Sequence, residues 1–276
     1  MRNSWFGVRL FGIGLCLLGV LPGGLGDRLQ AHEFWLSPSN HETPVGVYVD
    51  VVAMIGYGEA AESLTRRPDH MKGFHVYQGE ERQEVGGVHL RLPTGRFRPR
   101  SEGVYLLSYE SFPQENQLPG AEFDAYLNKE GLDEALDLRR GGSGNHGVVR
   151  EAYSRCAKSL ILVGEGVRGG DQVVGLPLEI VAKTNVEHLV VGTTLLVQVL
   201  RDGEAIPGLL LKCFAMATLA EPFGVRTDEE GFARIKLSQA GRWMLSVVSI
   251  EPGDAASEVD WQSYWASLTF NVGESE

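Results

Sequence analysis

Apolar and polar residues alternate along most of the chain in short runs that end at glycine and proline turns. A period of two is typical of β-strands with one buried face. In the first half, the pattern predicts strands at residues 33–37, 45–54, 74–78, 103–111 and 153–163. In the second half, it predicts strands at residues 178–183, 194–200, 209–217, 233–237, 243–250 and 267–272. The chain is therefore predicted to be an all-β protein of sandwich architecture.

The predicted strands fall into two groups, which suggests two β-sandwich domains. Residues 32–175 would form an amino-terminal sandwich. Residues 176–276 would form a carboxy-terminal immunoglobulin- or transthyretin-like sandwich, similar to carboxypeptidase-regulatory-like modules. Turn residues such as Asp202 and Gly203 separate the strands of this second group.

One stretch, residues 121–140, has helical instead of strand spacing. Phe123, Tyr126 and Leu127 recur at i, i+3 and i+4, and Gly131 and Gly141 are typical helix stops. The spacing predicts a short helical insert packed on the first domain.

The first residues have the order of a secretory signal peptide. Arg2 and Arg9 precede an apolar run of about a dozen residues, which is followed by a polar stretch that ends at Ala31. The run is shorter than the roughly 20 residues that a membrane-spanning helix needs, and no later segment comes closer. We therefore expect cleavage after Ala31, a periplasmic or secreted protein, and no transmembrane span in the mature chain.

Charge and composition narrow the function classes. The net charge is −11, and loss of residues 1–31, with three basic and one acidic residue, makes it −13. Such a surface repels nucleic acid.

After cleavage, Cys156 and Cys213 remain, and we expect two buried thiols, although one disulfide is an open alternative. No nucleophile elbow or P-loop is present, and the glycine pattern at 164–169 lacks a following helix, so no enzymatic activity is predicted.

Cleavage after Ala31 would give His32 a free α-amine beside its imidazole. These two nitrogen donors can close a chelate ring around one cation, and they suit copper, nickel and zinc better than calcium or magnesium. The more frequent outcome for a terminal histidine is that it stays without metal. Among the other histidines, His146 in a glycine-rich loop is our choice for a second ligand.

A second group of candidate residues precedes the apolar run of residues 159–163. Glu151, Arg155 and Lys158 lie where charged and apolar residues alternate. The simpler interpretation is a strand with one solvated face. The alternative is a polar cluster of all three against the helical insert, where they would hold the domain together or contact a ligand.

Several segments together carry a family resemblance: HEFWL at 32–36, EFDAYLNKEGLDEAL in the insert, EAYSRCAKSLILVG, GLPLEIV and WQSYWASLTF. They resemble an exported bacterial family whose members are labelled as periplasmic components of nickel or cobalt uptake, or as nickel-transporter-like domains of unknown function. The resemblance implies a two-part β protein outside the cytoplasm with a role in transition-metal delivery. The family's amino-terminal histidine corresponds to His32. Together with the donors of His32, the resemblance implies that any bound cofactor is a Ni, Co or Cu ion.

Two functions follow as hypotheses. The first is a periplasmic metal-binding or metal-delivery accessory that passes its ion to an inner-membrane metal transporter. The alternative is a cell-envelope interaction module that binds a protein or glycan without metal. A copper oxidase built on the amino-terminal histidine would be a third case, and it would require a second histidine within coordination distance.

Overall fold

The computed structural model describes residues 33–275, except residues 57, 142–146, 166–168, 217–220 and 255–257. The strands in this part of the chain, in order, are β1 Phe34–Pro38, β2 Glu42–Thr43, β3 Val49–Ile55, β4 Glu62–Leu64, β5 Met71–Gln78, β6 Glu81–Glu84, β7 Gly95–Phe97, β8 Gly103–Ser111, β9 Gln114–Pro119, β10 Val148–Val163, β11 Leu178–Ala182, β12 Thr194–Arg201, β13 Glu204–Ala205, β14 Leu210–Ala215, β15 Phe223–Arg226, β16 Phe232–Lys236, β17 Gly241–Pro252 and β18 Trp261–Val272. The helices are α1 Gly120–Lys129 and α2 Asp133–Gly141, and three 3-10 turns occupy Gly58–Ala60, Pro68–His70 and Val186–His188.

The prediction of an all-β sandwich with a helical insert is confirmed. The insert forms two helices, and Gly131 lies between them with a φ of +66°, a left-handed conformation that glycine adopts without steric cost. Strand β8 has the predicted bounds. Strand β6 was not predicted, because its four residues are all exposed and show no alternation. Neither α1 nor α2 has the length or apolar surface to cross a bilayer.

A sheet of ten strands forms the centre of the molecule. Eight of them follow the order β15-β14-β17-β18-β10-β8-β5-β6, and β2 and β9 pair with β10 beside this path. Strand β10 is the longest and pairs with four others: β9, β8, β18 and β2. Its pairing with β18 is parallel and runs from Glu151 opposite Trp261 to Ser159 opposite Thr269.

Two small sheets cover the central sheet on opposite faces. Successive residues of a strand point to opposite faces. On β10, Ala157 and Ile161 pack against the sheet of β1, β3, β4 and β7, whereas Cys156 and Leu160 pack against the sheet of β11, β12, β13 and β16. Helices α1 and α2 pack against Val149 of the first face, beside the first small sheet. The molecule is therefore layered, with a hydrophobic core on each side of the central sheet.

The predicted domain boundary, between residues 175 and 176, lies in the connection from β10 to β11. Strands from both sides of this boundary belong to the same central sheet, and the residues that the structure describes form one compact unit. The division into two domains stays a prediction.

Cys156 and Cys213 are both buried free thiols. Cys156 on β10 and Cys213 on β14 form no disulfide. Burial raises the pKa of each thiol to about 12. A thiol with so high a pKa carries almost no thiolate near neutral pH.

His41 is the buried histidine that precedes β2. Its Nδ1 donates to the carbonyl oxygen of Leu160 at 2.8 Å, which fixes the neutral tautomer. Burial lowers the pKa of His41 from 6.5 to about 4, and the hydrogen bond to Leu160 opposes this shift only in part.

The pKa of His41 predicts a loss of stability in mild acid. Between pH 6.5 and pH 4 the unfolded chain binds a proton that the folded chain does not, so the free energy of unfolding falls as the pH falls through this window. The contribution of His41 is about 3 kcal/mol, present in full above pH 6.5. In urea titrations, the unfolding free energy of the wild type should fall by about that amount more than that of His41→Gln between pH 7 and pH 4. The partly exposed His70→Gln variant should follow the wild type, and parallel curves for wild type and His41→Gln would contradict the prediction.

Candidate functional site

The segment that follows His32 in the chain is held firmly in the interior. Glu33 accepts a hydrogen bond at its backbone oxygen from the amide of Gly56, at 2.9 Å. Phe34, Trp35 and Leu36 continue as β1, pair with β3 and are all buried. A backbone paired on a sheet and buried on both faces has little conformational freedom. The backbone is thus fixed at Glu33 and along β1.

A buried cluster of charges surrounds the Glu33 side chain. The Nζ atom of Lys212 lies 2.5 Å from Oε1 of Glu33 and 2.6 Å from Oε2 of Glu130. The hydroxyl of Ser246 donates to Oε2 of Glu33. Only 12% of the Lys212 side chain, 8% of Glu33 and 1% of Glu130 are exposed. With all three groups ionised, two carboxylates face one ammonium, which leaves one excess negative charge.

The pKa values in this cluster follow from burial and charge. Burial raises the pKa of Glu130, and the neighbouring Glu33 carboxylate raises it further, while Lys212 opposes both effects. Burial would lower the pKa of Lys212, but its two carboxylate partners outweigh burial and raise it above its usual value. The lysine therefore stays charged near neutral pH.

The cluster joins elements that are distant in the sequence. Glu33 precedes β1, Glu130 follows α1, and Lys212 and Ser246 are cross-strand partners on β14 and β17. Sequence reasoning missed all four residues. One feature of the sequence could have indicated the cluster: Lys212 lies in an otherwise apolar strand, between two buried residues. An ionised side chain in such a strand needs a partner of opposite charge.

Aromatic and sulfur side chains pack beside this cluster. Trp35 lies opposite Met54 on the paired strands β1 and β3, and Phe214 lies opposite Met244 on β14 and β17. These four side chains and Met216 pack together between the first small sheet and the central sheet. Three of the protein's five methionines therefore pack together beside Trp35 of β1.

His32 and His146, the predicted metal ligands, lie outside the described residues. Gly147, which follows His146, accepts a hydrogen bond from the amide of Gly120 at the start of α1. Glu130 lies at the other end of that helix, about 15 Å away at 1.5 Å per residue. Within the described residues, no three His, Cys, Asp or Glu side chains are grouped as metal ligands would be.

The three residues of the predicted polar cluster occupy separate places along β10. Glu151 faces the helical insert, as the cluster interpretation expects: it accepts a hydrogen bond from Tyr126 at 3.2 Å and another from Ser263. Burial raises the pKa of Glu151. Arg155 stacks on the Phe34 and Tyr153 rings, with its guanidinium carbon 5.1 and 5.3 Å from their centroids.

Lys158 points to the opposite face of β10. Its Nζ lies 2.6 Å from Asp171 and 2.9 Å from Glu179, and it donates to the carbonyl of Gln172 at 3.0 Å. The Glu179 carboxylate also accepts hydrogen bonds from the amides of residues 174–176. Lys158 therefore fixes the connection between β10 and β11 and does not share a site with Glu151 and Arg155.

Comparison with known proteins identifies the family. The family model described as "Domain of unknown function (DUF4198)" matches residues 29–251. No curated protein matches the chain.

Solved structures give only remote matches. The D0-D1 domain of Intimin aligns at 9% identity over 85% of this chain and 96% of that chain, with a TM-score of 0.21. The D00-D0 domain of Intimin aligns at 12% identity over 86% of this chain and 98% of that chain, with a TM-score of 0.19. Dimeric latent PorU from Porphyromonas gingivalis aligns at 10% identity over 89% of this chain and 21% of that chain, with a TM-score of 0.18. Similarities at this level carry no conclusion about function.

The buried cluster predicts that Lys212 contributes far more to the free energy of unfolding than a surface lysine does. Lys212→Met would leave Glu33 and Glu130 buried without a cation, which should cost about 3–5 kcal/mol of unfolding free energy in urea titrations. The matched control is Lys72→Met, because Lys72 makes an ion pair of 2.7 Å with Glu110 but is 55% exposed. That control should lose about 1 kcal/mol or less.

A second variant keeps this prediction testable if Lys212→Met does not fold. Lys212→Met combined with Glu130→Gln removes one of the stranded carboxylates and should regain part of the lost stability. Equal losses for Lys212→Met and Lys72→Met would show that the cluster is not important for stability.

Proposed function

The chain belongs to the DUF4198 family, a domain of unknown function, and we propose that it is a transition-metal-binding protein of the periplasm. In this proposal the α-amine and imidazole of His32 bind a Ni, Co or Cu ion, and the ion passes to an inner-membrane metal transporter. The site depends on cleavage after Ala31, because only cleavage there frees the amine of His32.

One observation carries the proposal: the chain is immobilised from the residue next to His32. The Glu33 backbone is paired with Gly56, and its side chain is held by Lys212 and Ser246. A ligand attached to a rigid framework loses less conformational entropy when it binds, so it binds more tightly than the same group on a mobile tail. A histidine joined directly to Glu33 would start from such a framework.

The surroundings of Glu33 also favour a cation, and copper in particular. The ion cluster carries one more carboxylate than ammonium, so its local potential attracts positive ions. Met54 and Met216 are only partly buried beside Trp35. Thioether sulfur is a soft ligand that prefers Cu(I), whereas it adds little for Ni(II) or Co(II). Among the three metals, copper therefore suits this neighbourhood best.

Calorimetric titration of the exported protein tests the proposal. Its amino terminus is first established by mass spectrometry, and the protein is then titrated with Cu(II), Ni(II) and Co(II), and with Cu(I) in competition with a Cu(I) chelator. We expect one equivalent of metal to bind, with the highest affinity for copper. His32→Ala should weaken binding by at least about tenfold, because it removes one of the two chelating nitrogens.

Three further variants sharpen this test. Retention of Ala31 before His32 keeps the imidazole but displaces the amine, and it should weaken binding as His32→Ala does. His188→Ala removes an exposed histidine and should leave binding unchanged. His146→Ala tests the predicted second ligand. Unchanged binding in both His32→Ala and the Ala31-retaining form would refute the site, as would an amino terminus that starts beyond His32.

A further inference from the structure

A basic groove lies on the surface of the first small sheet. It has a volume of about 500 Å³, and its lining includes Tyr48, Glu84 and three arginines, Arg96, Arg98 and Arg100. Exposed and buried residues alternate from 96 to 100, and all three arginines fall on the exposed side. On an extended chain, alternate residues are spaced by about 6.6–6.8 Å. The three arginine side chains therefore leave the backbone on one exposed side, and they are called the arginine row below.

Two of these arginines are held in place by an exposed aromatic ring. The guanidinium carbons of Arg96 and Arg98 lie 5.7 and 5.5 Å from the centroid of the Tyr48 ring. The Tyr48 residue is 59% exposed although it is large and partly apolar. Stacking on the ring restricts the rotation of both guanidinium groups, so less entropy is lost when they bind an anion.

The positive charge of the row is only partly neutralised. Asp50 accepts two hydrogen bonds from Arg96 and compensates it. Arg98 donates to the carbonyl oxygen of Gly46 at 2.5 Å, a neutral acceptor, and the Arg100 side chain forms no ion pair within the described residues. Glu84 is engaged by Arg66 at 3.5 Å. In an acidic protein with a net charge of −11, the groove is thus a local region of uncompensated positive charge.

An open sheet edge forms one wall of the groove. Strand β6 contributes Gln83 and Glu84 to the lining and stands at the end of the central sheet. Its pairing partner is β5. On its other side, the bridge between Gly86 and Arg96 joins the continuation of the strand to β7, whereas residues 81–84 have no strand partner there within the described residues. The backbone N–H and C=O groups of these residues can form a β-ladder with an extended polypeptide, which a sugar chain of similar charge cannot form.

We propose that this groove binds an extended acidic segment of a partner protein. Acidic side chains at every second position of an extended segment also share one face, so they can reach Arg98 and Arg100 while the segment's backbone runs beside β6. Carboxylates form charge-assisted, often two-pronged hydrogen bonds with guanidinium groups. The site is separate from the proposed metal site and does not depend on it.

Fluorescence anisotropy with a short labelled peptide tests this proposal. The peptide carries glutamate at every second position, and the whole mature protein is treated with EDTA so that metal plays no part. We expect saturable binding that weakens as salt is added, since the contacts are ionic. Arg98→Gln combined with Arg100→Gln should weaken binding by about tenfold or more. The control Arg234→Gln, on β16, removes a strand arginine that is 67% exposed, and it should leave binding unchanged.

Two further probes decide what kind of anion the groove prefers. A peptide of the same composition with its glutamates in one contiguous block should bind more weakly, because only alternate residues share a face. A heparin fragment should bind less tightly than the alternating peptide or independently of Arg98 and Arg100. Tighter, arginine-dependent heparin binding would overturn the proposal in favour of a glycan. Equal losses for the double variant and Arg234→Gln, or no peptide binding at low salt, would also overturn it.

Discussion

The parallel pairing of β10 with β18 is the interaction on which the rest of the structure depends. Nine consecutive residue pairs join the two strands, from Glu151 to Ser159 on β10. Parallel neighbours require a long crossover connection. Here the crossover includes every strand from β11 to β17, so the second half of the chain folds between the two members of the pair. Without this pairing the central sheet would separate into two parts, and each small sheet would lose part of the surface that it covers.

Two buried lysines complete the assembly on opposite faces of the central sheet. Lys158 is held by Asp171 and Glu179 on one face, and Lys212 by Glu33 and Glu130 on the other. Burying such charges costs several kcal/mol per ion in desolvation, which Coulomb attraction and hydrogen bonds repay only in good geometry. Lys158 sets the path of the connection that leaves β10, and Lys212 sets where the amino-terminal segment and the end of α1 meet the sheet.

The same arrangement links the fold to the proposed functions. Strand β1 is buried although it lies at the edge of its sheet, and the predicted site of export processing lies a few residues before it. The metal proposal and the groove proposal use different surfaces and different physics: nitrogen and sulfur donors beside Glu33 in one case, and a row of guanidinium groups beside β6 in the other. A protein with both sites could hold an ion and dock a partner at the same time. The groove would then provide a means of recognising an acidic partner while the amino-terminal site remains free.

The amino-acid sequence by itself predicted the local structure of much of the chain. Alternation revealed most strands and the sandwich class, and the spacing of Phe123, Tyr126 and Leu127 revealed the helical insert, because strand and helix periods depend on neighbours a few residues apart. Alternation could also have separated Lys158 from Glu151 and Arg155, since an odd spacing along a strand reverses the face. The ion cluster could not be read in this way: Glu33 and Lys212 are 179 residues apart. They meet only because the packing of the first small sheet on the central sheet brings β1 and β14 together. That packing depends on the burial of whole sheet faces against one another and not on any local pattern.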